Sequence, residues 1–208
     1  MQIDVLDTKG NSTGRKVDLP ADIFGIEPNE HSVYLAVKQY LAHQRQGTHK
    51  AKEKGEITAS TKKIKKQKGT GTARAGSVKS GVFRGGGRMF GPRPRTYSIK
   101  LNKKVARLAR KSAFSSKAAA GQIKVIEDFT LDAPKTKVFV DILKGLDLAN
   151  TKTLMVTSSM ERDMLLSSRN LKKASVKTAD NLNTYELMNA NTIVLSEGSI
   201  EKIKETFA

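Results

Sequence analysis

Seventy consecutive residues, Ile57 to Ile126, contain nineteen Lys or Arg and not one Asp or Glu. Such a stretch reads as an anion-binding segment, because like charges at this density repel one another unless something polyanionic neutralises them. Its middle also resists regular structure: eight glycines lie between Gly69 and Gly91, and Pro92 and Pro94 follow at once. These residues predict a cationic segment held as extended chain, with nucleic acid as the counterpart. Lys and Arg contacts to phosphate gain from counterion release, and Arg adds planar bidentate and stacking contacts that Lys lacks.

The charge is local. Residues 45–111 hold 21 Lys and Arg against two acidic residues, whereas the rest of the 208-residue chain holds 17 against 18, so the formal net charge of +18 comes from this region. Setting aside 48–98 leaves roughly 150 to 160 residues of ordinary charge, enough for one packed core. The expected organisation is a single globular α/β domain built from 1–47 and 99–208, with 48–98 as a long basic insertion. The absence of cysteine removes disulfides, thiol nucleophiles and the usual zinc clusters, and fits a reducing compartment. The three histidines, His31, His43 and His49, make no metal site. No apolar run reaches eighteen residues, and Met1 to Val5 has no basic or apolar leader pattern, so neither a membrane span nor a secretory signal is expected. A cytoplasmic protein is the default.

Period-two alternation over Gln2 to Asp7, a turn at Lys9-Gly10-Asn11 and the apolar Val17 and Leu19 predict a hairpin. Pro20 to Gly25 reads as a turn or one helical turn. Asn29 is placed to cap a helix carrying Val33, Val37, Tyr40 and Leu41. From Thr48 to about Ser98 there is no apolar periodicity, and free in solution this segment is expected to be disordered. Doubled back as a hairpin, about 25 residues each way span up to roughly 80 Å, against a radius of gyration of about 15 Å for a 150-residue domain. Asn102 can cap a helix running to Ala120 and closed by Gly121. On its wheel Val105, Leu108 and Ala109 face one way and Lys103, Arg107, Arg110 and Lys117 the other. Phe114 falls in the basic arc; packing on a neighbouring element is the expected role, stacking the alternative.

Beyond this helix, strands at Ile123 to Ile126, Thr153 to Thr157, Ser175 to Thr178 and Thr192 to Leu195 alternate with helices. The helices fall at Pro134 to Lys144, after a capping-box spacing Ser158-x-x-Glu161, at Thr184 to Asn189 and at Ser199 to Thr206. Alternation at this spacing predicts a parallel sheet flanked by helices, Rossmann-like and doubly wound.

Two nucleotide-loop patterns fail. Gly69-Thr70-Gly71-Thr72-Ala73-Arg74 has Arg where a dinucleotide fingerprint needs Gly, and Gly76 is followed by Ser77 where a phosphate loop needs Lys. Glu127, Asp128, Ser158, Ser159, Asp180, Ser196 and Glu197 fall at strand ends, where α/β enzymes hold ligands, yet each reads as a helix cap or solvated turn. With no histidine in this half to act as base, no catalysis is expected.

The run Lys62, Lys63, Lys65, Lys66 and Lys68 alone is compatible with a solvated tail or a localisation cluster. Its continuation argues otherwise: Arg74, Lys79, Arg84, Arg88, Arg93 and Arg95 recur every four to six residues, interleaved with Phe83, Phe90 and Tyr97. Basic residues hold phosphates and aromatic rings stack on bases, an arrangement suited to folded RNA with splayed nucleotides. Lys103, Lys104, Arg107, Arg110 and Lys111 extend the candidate RNA-binding set onto the helix. A free RNA chaperone, a regulatory mRNA binder and an RNA-modifying enzyme share parts of this pattern.

Gln67-Lys68-Gly69-Thr70-Gly71, Ala73-Arg74-Ala75-Gly76, Gly85-Gly86-Gly87, Phe90-Gly91-Pro92-Arg93-Pro94-Arg95 and Lys103-Lys104 resemble the universal fourth family of large-subunit ribosomal proteins (uL4), in its bacterial form. The resemblance covers the loop and following helix closely, and the rest by element order and by Ala133-Pro134-Lys135-Thr136-Lys137 and Ser168-Arg169-Asn170-Leu171. It implies a structural constituent of the large ribosomal subunit that binds rRNA early in assembly, with no cofactor, no membrane and no homo-oligomer. The implied partners are the large-subunit rRNA and neighbouring ribosomal proteins, including the twenty-second large-subunit protein. The loop would line the nascent-peptide exit tunnel, its tip matched by Lys63, Gln67, Lys68, Gly69, Thr70, Gly71 and Arg74, with Lys68 at the family's macrolide-sensitivity position. Some bacterial members also repress their own operon. One departure stands out: the family often has Pro-Trp-Arg where Ile64, Lys65 and Lys66 stand.

Overall fold

A computed structural model describes residues 1–131 and 133–207. The predicted hairpin is β1 (Gln2–Leu6) paired antiparallel with β2 (Ser12–Asp18), Ile3 opposite Val17. After Pro20, a single helical turn, α1 (Ala21–Phe24), buries Ile23 and Phe24. Helix α2 (Glu30–His43) begins where the Asn29 side chain accepts the Ser32 N–H at 2.8 Å, the capping role expected of Asn29.

Helix α3 (Lys103–Ala119) ends as its glycine predicts. Gly121 sits at φ +66°, and the N–H groups of Gly121 and Gln122 reach back to the carbonyls of Ala118 and Lys117, both at 3.0 Å. Satisfying those carbonyls needs a left-handed residue, which glycine adopts without a Cβ penalty. The remaining elements follow in alternation: β3 (Ile123–Ile126), α4 (Thr136–Gly145), β4 (Thr153–Thr157), α5 (Arg162–Ser168), β5 (Ala174–Thr178), α6 (Thr184–Asn189), β6 (Thr192–Ser196) and α7 (Glu197–Phe207).

The six strands form one mixed sheet in the order β2-β1-β3-β6-β4-β5. Five run parallel, as the alternation predicts; β2 is antiparallel because a tight hairpin return leaves no other direction. Strand residues alternate between two apolar layers. Ile123, Val125, Leu154, Val156, Ile193 and Leu195 face the layer built with α1, α3, α6 and α7. Ile126, Met155, Val176 and Val194 face the other, completed by Phe139, Ile142 and Leu143 of α4 and Met164 of α5. Helices thus cover both faces, which is why the central strands lack the alternating polarity of a half-exposed sheet.

Three local expectations are corrected. Leu108 is exposed, and Lys117 is buried where the wheel predicts the basic side. The reason is that α3 packs by small residues. The Ser112 hydroxyl accepts the Asn29 N–H at 3.1 Å, and the Ser115 hydroxyl accepts the Ile26 N–H at 3.2 Å while donating to the Ile23 carbonyl at 3.0 Å. That turns the apolar face toward Ala109, Ala113 and Phe114 and leaves Lys117 pointing inward, its ammonium donating to the Ala190 carbonyl at 2.6 Å and to Gln122 Oε1 at 2.9 Å. Burial pushes the Lys117 pKa down. Third, the Ser158-x-x-Glu161 spacing does not cap a helix: the Thr157 hydroxyl donates to the Ser159 carbonyl, the chain turns there, and α5 starts only after Glu161. Phe114 is a core residue, 1% exposed, its ring 5.1 Å from that of Phe24 and 6.3 Å from that of Phe207.

The chain divides into two compact units, Met1–Tyr40 with Lys100–Ala208, and Leu41–Ile99. The sheet lies wholly in the first. So does every buried apolar side chain among the described residues.

Candidate nucleic-acid interface

Residues 41–99 carry fifteen Lys and Arg and two acidic residues, Glu53 and Glu56. Beyond the last turn of α2, which ends at His43, one turn of 3-10 helix at Lys54–Glu56 is the regular structure found among the described residues there. Shape comes from sparse backbone bonds between two limbs: Arg95 N–H to Gly47 O at 3.1 Å, Ala51 N–H to Pro92 O at 3.0 Å, Arg88 N–H to Lys52 O at 2.8 Å, and Ile64 N–H to Gly76 O at 3.1 Å. The segment doubles back on itself. Glycine permits the closest approaches. Gly47 is at φ +65°, and a Cβ there would lie 2.0 Å from the Arg95 carbonyl oxygen; at Gly87 it would lie 2.3 Å from the Lys54 nitrogen.

Both acids are used inside the unit. Glu53 pairs with Arg93 and Glu56 with Lys50. The Lys50 ammonium holds the Glu56 carboxyl below its ordinary range, and Glu53 holds the Arg93 guanidinium above its own. Among the described residues no carboxylate pairs with Lys62, Lys63, Lys65, Lys66, Lys68, Arg74, Lys79, Arg84, Arg88 or Arg95. All of these are exposed except Lys79, which is half-buried.

The predicted tip is a closed turn. Between the paired Ile64 and Gly76, every residue from Lys65 to Arg74 is exposed; Gly69 and Gly71 take positive φ, and Lys65 Nζ donates to Thr72 Oγ1 at 2.7 Å. Lys63 Nζ donates to Gln67 Oε1. The lysines are thereby exposed on a glycine-bent backbone, and among the described residues no carboxylate pairs with them.

The three candidate stacking rings differ. Phe90 is fully exposed and holds a positive φ of 52°, rare for a residue with a Cβ, so its ring is displayed against local backbone preference. Phe83 is 37% exposed. Tyr97 is already engaged: the Arg45 guanidinium lies 3.9 Å and the Arg95 guanidinium 4.6 Å from its ring centroid, and its hydroxyl lies 3.3 Å from His49 Nε2. Hydrogen bonding to Arg95, helped by the Arg45 charge, lowers the Tyr97 pKa. Arg45 was not singled out by sequence, because it precedes the acid-free stretch and only the pairing of the limbs brings it to Tyr97.

On α3, Lys103, Lys104 and Arg107 are exposed. Arg110 and Lys111 are half-buried, lying 5.2 and 5.7 Å from the Phe207 ring centroid. Burial, and next the neighbouring Arg107 charge, lowers the Arg110 pKa. These two cations therefore spend part of their surface on the core.

Among the described residues no group of His, Cys, Asp and Glu is arranged to hold a metal ion, and no helix is long and apolar enough to cross a membrane.

Comparison with known proteins bears on this arrangement. The family model described as the ribosomal protein L4/L1 family matches residues 17–206. Among curated relatives named large ribosomal subunit protein uL4, that of Cytophaga hutchinsonii is 60% identical over 204 residues, 98% of each chain. That of Flavobacterium johnsoniae is 60% identical over 208 residues, the full length of both, and that of Parabacteroides distasonis 56% over 207. Overall identity at this level, over matches that span nearly the whole chain, leaves one assignment: the chain belongs to the ribosomal protein L4/L1 family.

Proposed function

We propose that segment 48–98 is an extended rRNA-penetrating loop, and that the α/β unit is a Rossmann-like scaffold which anchors it without a nucleotide site of its own. The protein is a structural component of the large ribosomal subunit, acting in translation in the cytoplasm. Its RNA contacts are carried by Lys62, Lys63, Lys65, Lys66, Lys68, Arg74, Lys79, Arg84, Arg88, Arg93 and Arg95 on the loop and by Lys103, Lys104, Arg107, Arg110 and Lys111 on α3. Phe83 and Phe90 offer rings to splayed bases, and the Tyr97 ring stiffens the two arginines stacked on it. The observation that carries this reading is the ten loop cations that are exposed or half-buried and have no carboxylate partner among the described residues, on a segment without a buried apolar side chain. Such a surface is complementary to a polyanion, whose phosphates relieve the like-charge repulsion and release counterions on binding.

Binding occurs early in subunit assembly, and the turn from Lys63 to Arg74 reaches the peptide exit tunnel beside the twenty-second large-subunit protein. With Ile64, Lys65 and Lys66 at the tip, the contact there is electrostatic and not a Trp stack.

Salt titration of binding to large-subunit rRNA tests the reading. Replacing Lys62, Lys63, Lys65, Lys66 and Lys68 by Gln should flatten the log-log salt dependence by roughly 0.7 to 0.9 for each phosphate that the variant no longer neutralises. An unchanged slope removes these lysines from the interface. The native protein should also sediment with large subunits through moderate salt; recovery only in the soluble fraction would favour a free RNA chaperone.

A further inference from the structure

We propose that the cleft at the carboxyl ends of β3, β4 and β6 receives a single cationic side chain, lysine or arginine, from a basic segment of another protein. The cleft has a volume of about 280 Å³. That is at the lower edge of the roughly 300 to 1,000 Å³ typical of small-molecule pockets, and it leaves room for one long side chain.

Its chemistry is divided. Phe129, Met155 and Met164 form apolar walls, and Asp128 and Glu161 stand among the lining residues. The Ser196 hydroxyl is the decisive group. Ser196 is 4% exposed and its Oγ has no hydrogen-bond partner among the described residues. Strand alternation puts it on the face of Val194, the layer of Met155 and Met164, and so directs it into the cleft. Buried hydroxyls are nearly always paired, so an orphan lining a cleft marks a place for a ligand donor or acceptor.

The carboxylates select the sign of that ligand. Asp128 is held in place because its Oδ2 accepts the Gly198 N–H of α7 at 3.0 Å, and among the described residues no Lys or Arg pairs with Asp128 or Glu161. Nearby, Arg15 is already divided between Glu127 at 3.4 Å and Glu197 at 3.1 Å. On a chain of net charge +18, this is an acidic strand-end cluster that repels phosphate. A lysine or arginine stem would lie along the thioethers and the Phe129 ring while its head met the carboxylates and the Ser196 hydroxyl. Sequence patterning read these strand-end residues as caps and turns. Asp128 does cap α7, and Ser196 and Glu161 are left over from that role.

The inference stands apart from the use of the basic loop, and its test does not involve RNA. The full-length protein labelled with ¹³C at the methionine methyls would be titrated with a blocked pentapeptide carrying one central arginine. The Met155 and Met164 signals should shift saturably, at least tenfold more weakly with citrulline in place of arginine. Glu161→Gln should weaken the peptide about tenfold and Ser196→Ala several-fold, with unchanged melting temperatures; Asp128→Asn is secondary, since it also touches the α7 cap. Methyl signals that ignore the arginine peptide, respond equally to citrulline or respond instead to inorganic phosphate would each overturn the proposal.

Discussion

The two units of this chain are stabilised in opposite ways. In the α/β unit, apolar strand residues are sealed between helices on both faces, and even a lysine, Lys117, is drawn inside and satisfied by a carbonyl and an amide oxygen. In 41–99 no apolar side chain is buried, the backbone bonds are few, and fifteen cations face two glutamates already paired within the unit. The first unit carries the free energy of its fold in itself. The second has the composition of a segment whose order comes from its partner. Two sources of order within one polypeptide imply that stability and RNA affinity are separable by mutation.

The largest effect should come from Phe114→Ala. The ring is 1% exposed and touches Phe24 and Phe207, so its loss should destabilise the α/β unit by about 3 to 5 kcal/mol. Chemical denaturation would show this as a lowered midpoint, while the salt slope of RNA binding by the remaining folded protein stays unchanged. A midpoint within error of the native value would mean that the α1–α3–α7 junction is not a core. Phe90→Ala reverses the pattern. Its ring is fully exposed and touches no core, so melting should not move, whereas RNA affinity should fall by roughly 1 to 3 kcal/mol if one base stacks there. Equal affinity for the variant would take Phe90 out of the interface and leave its left-handed backbone without a role.

How much of this was legible in sequence follows the same division. β3, β4 and α6 fall at the residues where periodicity places them, because a buried strand and a capped helix write their geometry into short runs. The acid-free stretch carried the expectation of a polyanion partner, because charge needs no fold to be read. Long-range pairing was not legible. The orientation of α3 depends on Ser112 and Ser115 bonding to backbone more than eighty residues away, which no helical wheel contains. The meeting of Arg45 with Tyr97 depends on the limbs closing at Gly47. The orphan hydroxyl of Ser196 becomes visible only once the carboxyl ends of three strands are side by side.

A smaller effect tests local capping in the α/β unit. Asn183 accepts the Glu186 N–H at 2.8 Å at the start of α6, and Asn183→Ala should cost about 1 kcal/mol in stability without altering RNA binding. Denaturation midpoints of the two proteins decide it; equal midpoints would assign the cap to solvent.

The smallest expected change in stability is also the most demanding on the comparison. Removing residues 62–95 and rejoining the limbs takes no buried apolar side chain from either layer of the sheet, so the unfolding midpoint of the α/β unit should stay where it is in the full chain. Closing a shorter loop changes chain entropy only slowly, by about 0.6 kcal/mol for each halving of length, and in the stabilising direction. RNA affinity should collapse in the same protein, since most of the unpaired cations are gone. If cooperative unfolding disappears with the loop, the two sources of order are not separate, and the α/β unit depends on contacts from its cationic partner segment that its apolar layers do not replace.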